Sequence, residues 1–388
     1  MMANGTQQDP YVVKNWEEFS EYNTADMVGS YVQLSRSPYK SWDLAHSYPS
    51  GVNGGLTIYP NILGNGVEII NLCTKGGQFG VDFKGTVDNL KITTLYVFDA
   101  GCAVKFEQGA ANVILSCEVG ATNDLWVLNK EVYSDTSYTN CQFEFKCRNL
   151  SSAMRSIYLF HGNQSTKITT NNCEIYIDWD GFYGASFNVP LLLNASLIHG
   201  YINTPEYGTR FYDVKQVTTG DYPDSLIDLK INAPNIYYGS YSGDTSAKVF
   251  YNADEMPPFA SGSAQNAWVG LTNAQIADET ALNNAGFHTG DGTPWEYDDT
   301  TDPPLNQDDW VDVEKLGAFA KNGQLNHLNS STRQAGLRIC NIPANVQSVG
   351  RYSFVVNHLN EVYLPANCTY YSTTFGSISN IHGGQLIE

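Results

Sequence analysis

Two groups of acids in this 388-residue chain have spacing suited to sugar chemistry. Cutting a glycosidic bond takes two carboxylates about 5 to 10 Å apart, one to protonate the leaving oxygen and one to attack or to activate water. Where strands stack in parallel, residues one coil apart lie about 4.8 Å from each other, so the pattern to seek is a column of acids. One outward slot reads Tyr96, Glu118, Gln142, Glu174, which sets Glu118 and Glu174 two coils apart, about 9 to 10 Å. A second group is Asp178 and Asp180 around Trp179, an aromatic between two acids. Each group also has a plain structural reading. Surface strands carry Glu, Gln142 interrupts the first column, and a Trp can simply anchor a loop. The structural reading carries more weight, and none of these acids is assigned a catalytic role.

Exposed aromatics on a rigid surface offer binding instead of catalysis, by stacking on sugar rings or filling a seam between subunits. The run Tyr237-Tyr238-Gly-Ser-Tyr241 and the pair Tyr370-Tyr371 are candidates, with Trp179 beside them. No phosphate-binding glycine loop, Ser-His-Asp order or paired-cysteine metal spacing occurs, so no cofactor and no metal is expected. Arg148, Arg155 and Arg210 lie outside acid clusters, which gives no calcium-assisted lyase pattern. His199 and His358 read as satisfied polar side chains.

These residues are positioned by a period. Cys73 is followed 22 residues later by Leu95 and 22 later by Cys117, and the slot returns as Cys141 and Cys173 after 24 and 32. A second short strand recurs behind each, from Val81-Asp-Phe83 to Leu191-Leu-Leu193. Such a period, with inserts at the turns, marks a solenoid whose coils bury their inward side chains only by stacking. The fold expected is all-β: a right-handed parallel β-helix solenoid over 51–245, behind an N-terminal cap (1–50) of strand, short helix and loop. Asn15 can cap that helix, with Glu18 three residues on and Trp16 and Phe19 on one face. Turns are marked by Gly85, Gly109, Gly120, Gly162, Gly181, Gly184 and Asn171-Asn172. Inserts at Ser134–Tyr138, Asp178–Ala185 and Thr218–Asp224 are expected to project from one side.

The span 246–330 reads as a mixed linker domain, with a helix over Asn273–Ala285 and an acidic segment from Asp291 to Glu314. From 331 to 388 a second period appears. Leu337, Leu359 and Ile381 are 22 apart, as are Ile342, Leu364 and Leu386, and Pro-Ala-Asn recurs at 343 and 365.

Acids outnumber bases 40 to 21, a net charge of −19, which argues against nucleic acid as a partner. No apolar run is long enough to span a membrane, and the N-terminus lacks the features of a signal peptide. The stacked cysteines read as small buried hydrophobes with free thiols.

The region from Asn15 to about Gly200 resembles the β-helix virion proteins of bacteriophages, especially those of gut bacteria. The resemblance rests on the Trp16–Phe19 helix, Tyr31-Val32, Trp42-Asp43, Gly64-Asn65-Gly66 and Ile69-Ile-Asn-Leu72. The C-terminal repeat resembles the leucine-rich repeat of the BspA type found on bacterial surface proteins. Together they imply a structural or adhesive tail spike, tail fibre or head fibre, assembled as a homotrimer in the host cytoplasm. It would meet other virion proteins and a host surface glycan or protein. The alternatives are a polysaccharide depolymerase on the same scaffold and a bacterial adhesin.

Overall fold

The computed structural model describes residues 4–37, 41–44, 55–132, 134–150, 156–162, 166–217, 223–239, 248–260, 268–289, 293, 295–298, 324–327, 339–341, 348–349, 361–372 and 380–387. The chain forms two compact units, Met1–Thr272 and Asn273–Glu388.

The first unit is a parallel solenoid of three strand faces. Its front face runs from Ser41–Asp43 through Lys91–Phe98, Ile114–Ala121, Gln142–Asn149, Glu174–Asp180, Leu197–Asn203 and Leu226–Asn232 to Trp268–Leu271, every neighbour parallel. The other two faces join into one 16-stranded sheet. They merge because the 11-residue strand Gly184–Asn194 pairs with Ser156–Gly162 at one end and Ile168–Asn171 at the other. The 16-stranded sheet also includes Tyr11–Val13 and Tyr31–Leu34 at its start, and the separate sheet of the front face continues to Leu271. Helix Trp16–Tyr22 is capped as its sequence implies: Asn15 Oδ1 accepts from Glu18 N at 2.8 Å, while Glu18 Oε2 accepts from Lys14 N at 2.9 Å. Trp16 and Phe19 are buried.

Asparagines turn the corner into the front face. Asn89, Asn112, Asn140 and Asn172 sit at φ between 51° and 54°, a left-handed conformation that Asn tolerates. Their amides stack along the axis. Asn112 Nδ2 donates to Asp88 Oδ1 at 2.8 Å, Asn140 to Asn112 Oδ1 at 3.3 Å and Asn172 to Asn140 Oδ1 at 3.0 Å. The corners at Asn112, Asn140 and Asn172 therefore each pass a side-chain hydrogen bond to the coil before them.

The register corrects the period. Lys91 pairs with Glu68 and with Ile114, a rung of 23, and the step of 22 between Leu95 and Cys117 follows a register shift in Lys91–Phe98. Leu95, Cys117, Phe145 and Ile177 share one inward column. Cys141 and Cys173 belong to another, just after the Asn corner, beside Val113. Cys73 lies opposite Tyr96, in an outward column. The single cysteine ladder is thus two columns and one stray residue, because the inserts between coils are not whole rungs. The columns themselves are sound: Ile92, Leu115, Phe143, Ile175, Ile198 and Ile227 stack in register and are all buried. Thr136–Thr139, expected within an insert, is a strand with Tyr138 fully buried.

Cys73, Cys102, Cys117, Cys141, Cys147, Cys173 and Cys368 carry free thiols. Burial pushes Cys117, Cys141 and Cys147 well above the ordinary thiol range. The folded state holds them neutral, while unfolded thiols ionise above about pH 8.5. Their contribution is therefore complete below that pH and is lost as pH rises. We expect a thiol-reactive disulfide reagent to leave these three unmodified in the native protein. The urea midpoint should fall between pH 7.5 and 9.5, as the unfolding free energy drops by on the order of 1 kcal/mol per thiol. A midpoint flat over that range would contradict this burial.

In the second unit the helix expected over Asn273–Ala285 is two short ones, Asn273–Ile276 and Glu279–Asn284. Asp278 interrupts it by capping the second, its side chain accepting from Ala281 N at 2.8 Å. Glu296 and Asp298 lie in the strand Trp295–Asp298, antiparallel to Gln324–His327, and most of the acidic segment lies outside the described residues. Two three-stranded parallel sheets follow, built from Ile339–Asn341, Glu361–Tyr363 and Asn380–His382 and from Ser348–Val349, Thr369–Tyr371 and Gln385–Ile387. The 22-residue step holds between Ile339 and Glu361, then shortens, so that Ile381 faces Val362 and Leu386 faces Tyr370. The second shortening, from 19 residues to 16, falls at a tight corner at Gly383 and Gly384, both at positive φ. A Cβ on Gly383 would lie 2.3 Å from the Leu364 carbonyl oxygen. Leu337, Ile342, Pro343 and Leu359 lie outside the described residues.

Candidate functional site

The outer side of the front face carries the chemistry-bearing side chains, because alternate residues of each strand point away from the core. One outward column reads Tyr96, Glu118, Lys146, Asp178, Tyr201, Lys230, and its neighbour Ser116, Glu144, Tyr176, His199, Asp228. Glu174 stands in a third, with Gln142. Glu118 and Glu174 are therefore two rungs and four residues apart, about 16 Å from rung spacing and strand rise. That is too far for a hydrolytic pair, and the expected Glu118–Glu174 column is corrected. The sequence count took Cys117 and Cys173 as equivalent, and they are not.

Two other carboxylates do approach. Glu144 and Glu174 lie one rung and two residues apart, about 8 Å between Cα atoms, with side chains only 5% and 2% exposed. Glu174 Oε1 is 2.8 Å from His199 Nε2, and its Oε2 accepts from Gln142 Nε2 at 3.3 Å. Glu144 Oε1 lies 2.8 Å from Lys146 Nζ and Oε2 accepts from Ser116 Oγ at 2.7 Å. Every carboxylate oxygen of this pair has a partner. Buried charges held this way stay in place because removing either partner strands the other. His199 packs edge-on against Tyr176 at 5.2 Å, a contact that fixes its ring.

Asp178 is bound by Arg148, Nη2 to Oδ2 at 2.6 Å, and Arg148 Nη1 also donates to the Asp178 carbonyl at 2.8 Å. Asp180 accepts from Asn203 Nδ2 at 2.6 Å. Both acids belong to the strand Glu174–Asp180, where an insert was expected to begin. Trp179 faces inward, fully buried, with its ring 6.1 Å from Phe187. As core it presents no ring to a sugar, and its place among binding residues is corrected.

Of the tyrosines, Tyr237 is 42% exposed, with the Arg210 guanidinium 5.9 Å from its ring. Tyr238 is buried, edge-on to Trp268 at 5.4 Å, and is withdrawn as a binding residue. Tyr370 and Tyr371 are half-buried in the strand Thr369–Tyr371. Tyr241 lies outside the described residues.

The structure adds Tyr183 and Tyr207, which no sequence pattern singled out. They occupy the corner after the front face on successive coils, with ring centroids 3.5 Å apart. The hydrogen bond between them, more than burial, pushes the Tyr183 phenol up to about 12. Among the described residues no cluster of three or more His, Cys, Asp or Glu is placed to hold a metal ion, and no helix is long and apolar enough to cross a membrane. Compared with known proteins, the chain matches no family model, no curated protein and no solved structure.

Proposed function

We propose that this chain is a structural and adhesive virion protein of a bacteriophage, a fibre, spike or capsid-attached protein that binds a host surface or neighbouring virion proteins. In this reading the solenoid is right-handed, the C-terminal sheets form a leucine-rich-repeat module, and the particle carries the chain as a trimer. The supporting observation is the state of the outward acids. Glu144, Glu174, Asp178 and Asp180 are each tied to a side chain on a neighbouring rung, Ser116, His199, Arg148 and Asn203 in turn, which makes them fasteners of the surface. A general acid must present an oxygen to the bond it protonates, and both oxygens of Glu144 and of Glu174 are already engaged by neighbouring side chains.

The depolymerase reading keeps one favouring observation, the spacing of Glu144 and Glu174. Incubating the full chain with purified capsular polysaccharide separates the two. No new reducing ends and no unsaturated product are expected, from the native protein or from Glu144→Gln and Glu174→Gln. Turnover that either substitution abolishes would overturn the adhesive assignment. Sedimentation at micromolar concentration checks the trimer, and a monomer would remove it.

A further inference from the structure

Where the front strands end, the corner carries a row of hydrogen-bonding side chains one rung apart. Asn232 Nδ2 donates to Asn203 Oδ1 at 2.7 Å, and Asn203 Nδ2 donates in turn to Asp180 Oδ1. Those bonds use one N–H of each amide and one carboxylate oxygen. A side-chain amide has two N–H donors and a carboxylate two oxygens. A donor on Asn203, a donor and the acceptor on Asn232, and the second oxygen of Asp180 are thus left over, and both ends of the row are exposed.

Aromatic surface lies alongside. Tyr207 is 48% and Tyr237 42% exposed. Tyr237 is held flat to the backbone because position 208 is glycine: a Cβ there would lie 2.7 Å from the Tyr237 ring. These groups sit on a solenoid whose rungs fix them at a short, regular repeat.

The chemistry of the occupant follows from what the corner offers. Backbone groups here are engaged in rung hydrogen bonds, so an extended peptide finds no strand edge to join. Asp180 and Glu206 place acids at this corner, in a chain of net charge −19, which disfavours a polyanion. Amides that both donate and accept, beside aromatic carbon, match hydroxyl groups on a ring with apolar C–H faces. We infer that this corner binds a neutral polysaccharide laid along the solenoid axis, its hydroxyls taken by Asp180, Asn203 and Asn232 and its apolar carbons by Tyr207 and Tyr237. The inference rests on the adhesive reading and names its ligand class.

The test uses the full chain on immobilised dextran, mannan and xylan, with alginate and heparin as polyanions and gut-bacterial envelopes as the natural surface. Asn232→Ala and Tyr237→Ala are compared singly and together, with thermal midpoints confirming that each folds. Retention on at least one neutral glycan is expected, weakened about fivefold by each change and about 25-fold by both. Retention on the polyanions alone, or neutral retention unmoved in the double variant, overturns the corner as a neutral-glycan site. A changed sedimentation coefficient in the double variant assigns the corner to a second copy of the chain and overturns it too. Envelope binding without any neutral-glycan retention sinks this inference and leaves adhesion standing, whereas no envelope binding removes both.

Discussion

Replacing Gly200 with alanine is expected to cost at least about 3 kcal/mol and to lower the unfolding midpoint more than any single change at an exposed glycine. Gly200 occupies an inward column, between Ile177 and Leu229 on the neighbouring coils. It brings no side chain to that column, and its φ is +119°, a conformation that side chains rarely adopt. A Cβ built on it would stand 2.0 Å from the Ile177 carbonyl oxygen and 2.9 Å from the carbonyl carbon. The obstacle is backbone of the adjoining rung, so no side chain can swing aside to relieve it. Backbone strain and steric overlap therefore act together. Gly76 supplies the control, since it too has positive φ (+70°) but has nothing within 4 Å of the place an alanine methyl would take. Gly76→Ala should show the conformational cost alone, about 1 kcal/mol. Urea midpoints of the two variants decide the matter. If they shift equally, the close approach to Ile177 has no energetic weight.

Gly200 also shows where sequence reading reaches its limit. Parallel stacking was legible because apolar residues recur at the rung length and must point inward together, as Ile92, Leu115 and Phe143 do. The helix cap at Asn15 was legible because it is local, written within four residues. Register was not. Coils of 23, 28 and 32 residues, seen in the steps Lys91 to Ile114, Ile114 to Gln142 and Gln142 to Glu174, cannot be phased from cysteines when Cys117 and Cys173 occupy different columns. A slip in phase moves every outward partner, which is why Glu118 was set over Glu174 when it lies over Lys146 and Asp178. The better phase marker is the left-handed Asn two residues before the front strands that begin at Lys91, Ile114, Gln142 and Glu174, since it sets the corner itself. Bonds across rungs, such as Glu174 to His199 or Asn203 to Asp180, become visible only once that phase is known.

Trp179→Ala carries the second large effect, and it separates packing from recognition. In an adhesive protein, a Trp between two acids invites a binding role, which would leave stability nearly unchanged on truncation and abolish glycan retention. Its position argues the reverse. Trp179 continues the inward column Val97, Val119, Cys147, with Ile202 beyond it, and is wholly buried against Phe187. Phe187 in turn stacks on Phe211 at 4.5 Å, so the indole is the first member of an aromatic stack that crosses coils. Deleting it leaves a cavity that neighbouring rungs, fixed by their hydrogen bonds, cannot close. A loss of about 3 to 5 kcal/mol is expected. Because each coil is stabilised through contact with its two neighbours, the damage should reach both adjoining interfaces. Trp179→Phe should recover part of it by refilling the cavity. The folded fraction of either variant should retain glycan as the native chain does, since the exposed corner at Asn203, Asn232 and Tyr237 is untouched. Glycan retention lost from a Trp179→Ala protein of unchanged midpoint would place the indole at the binding surface and reverse the assignment.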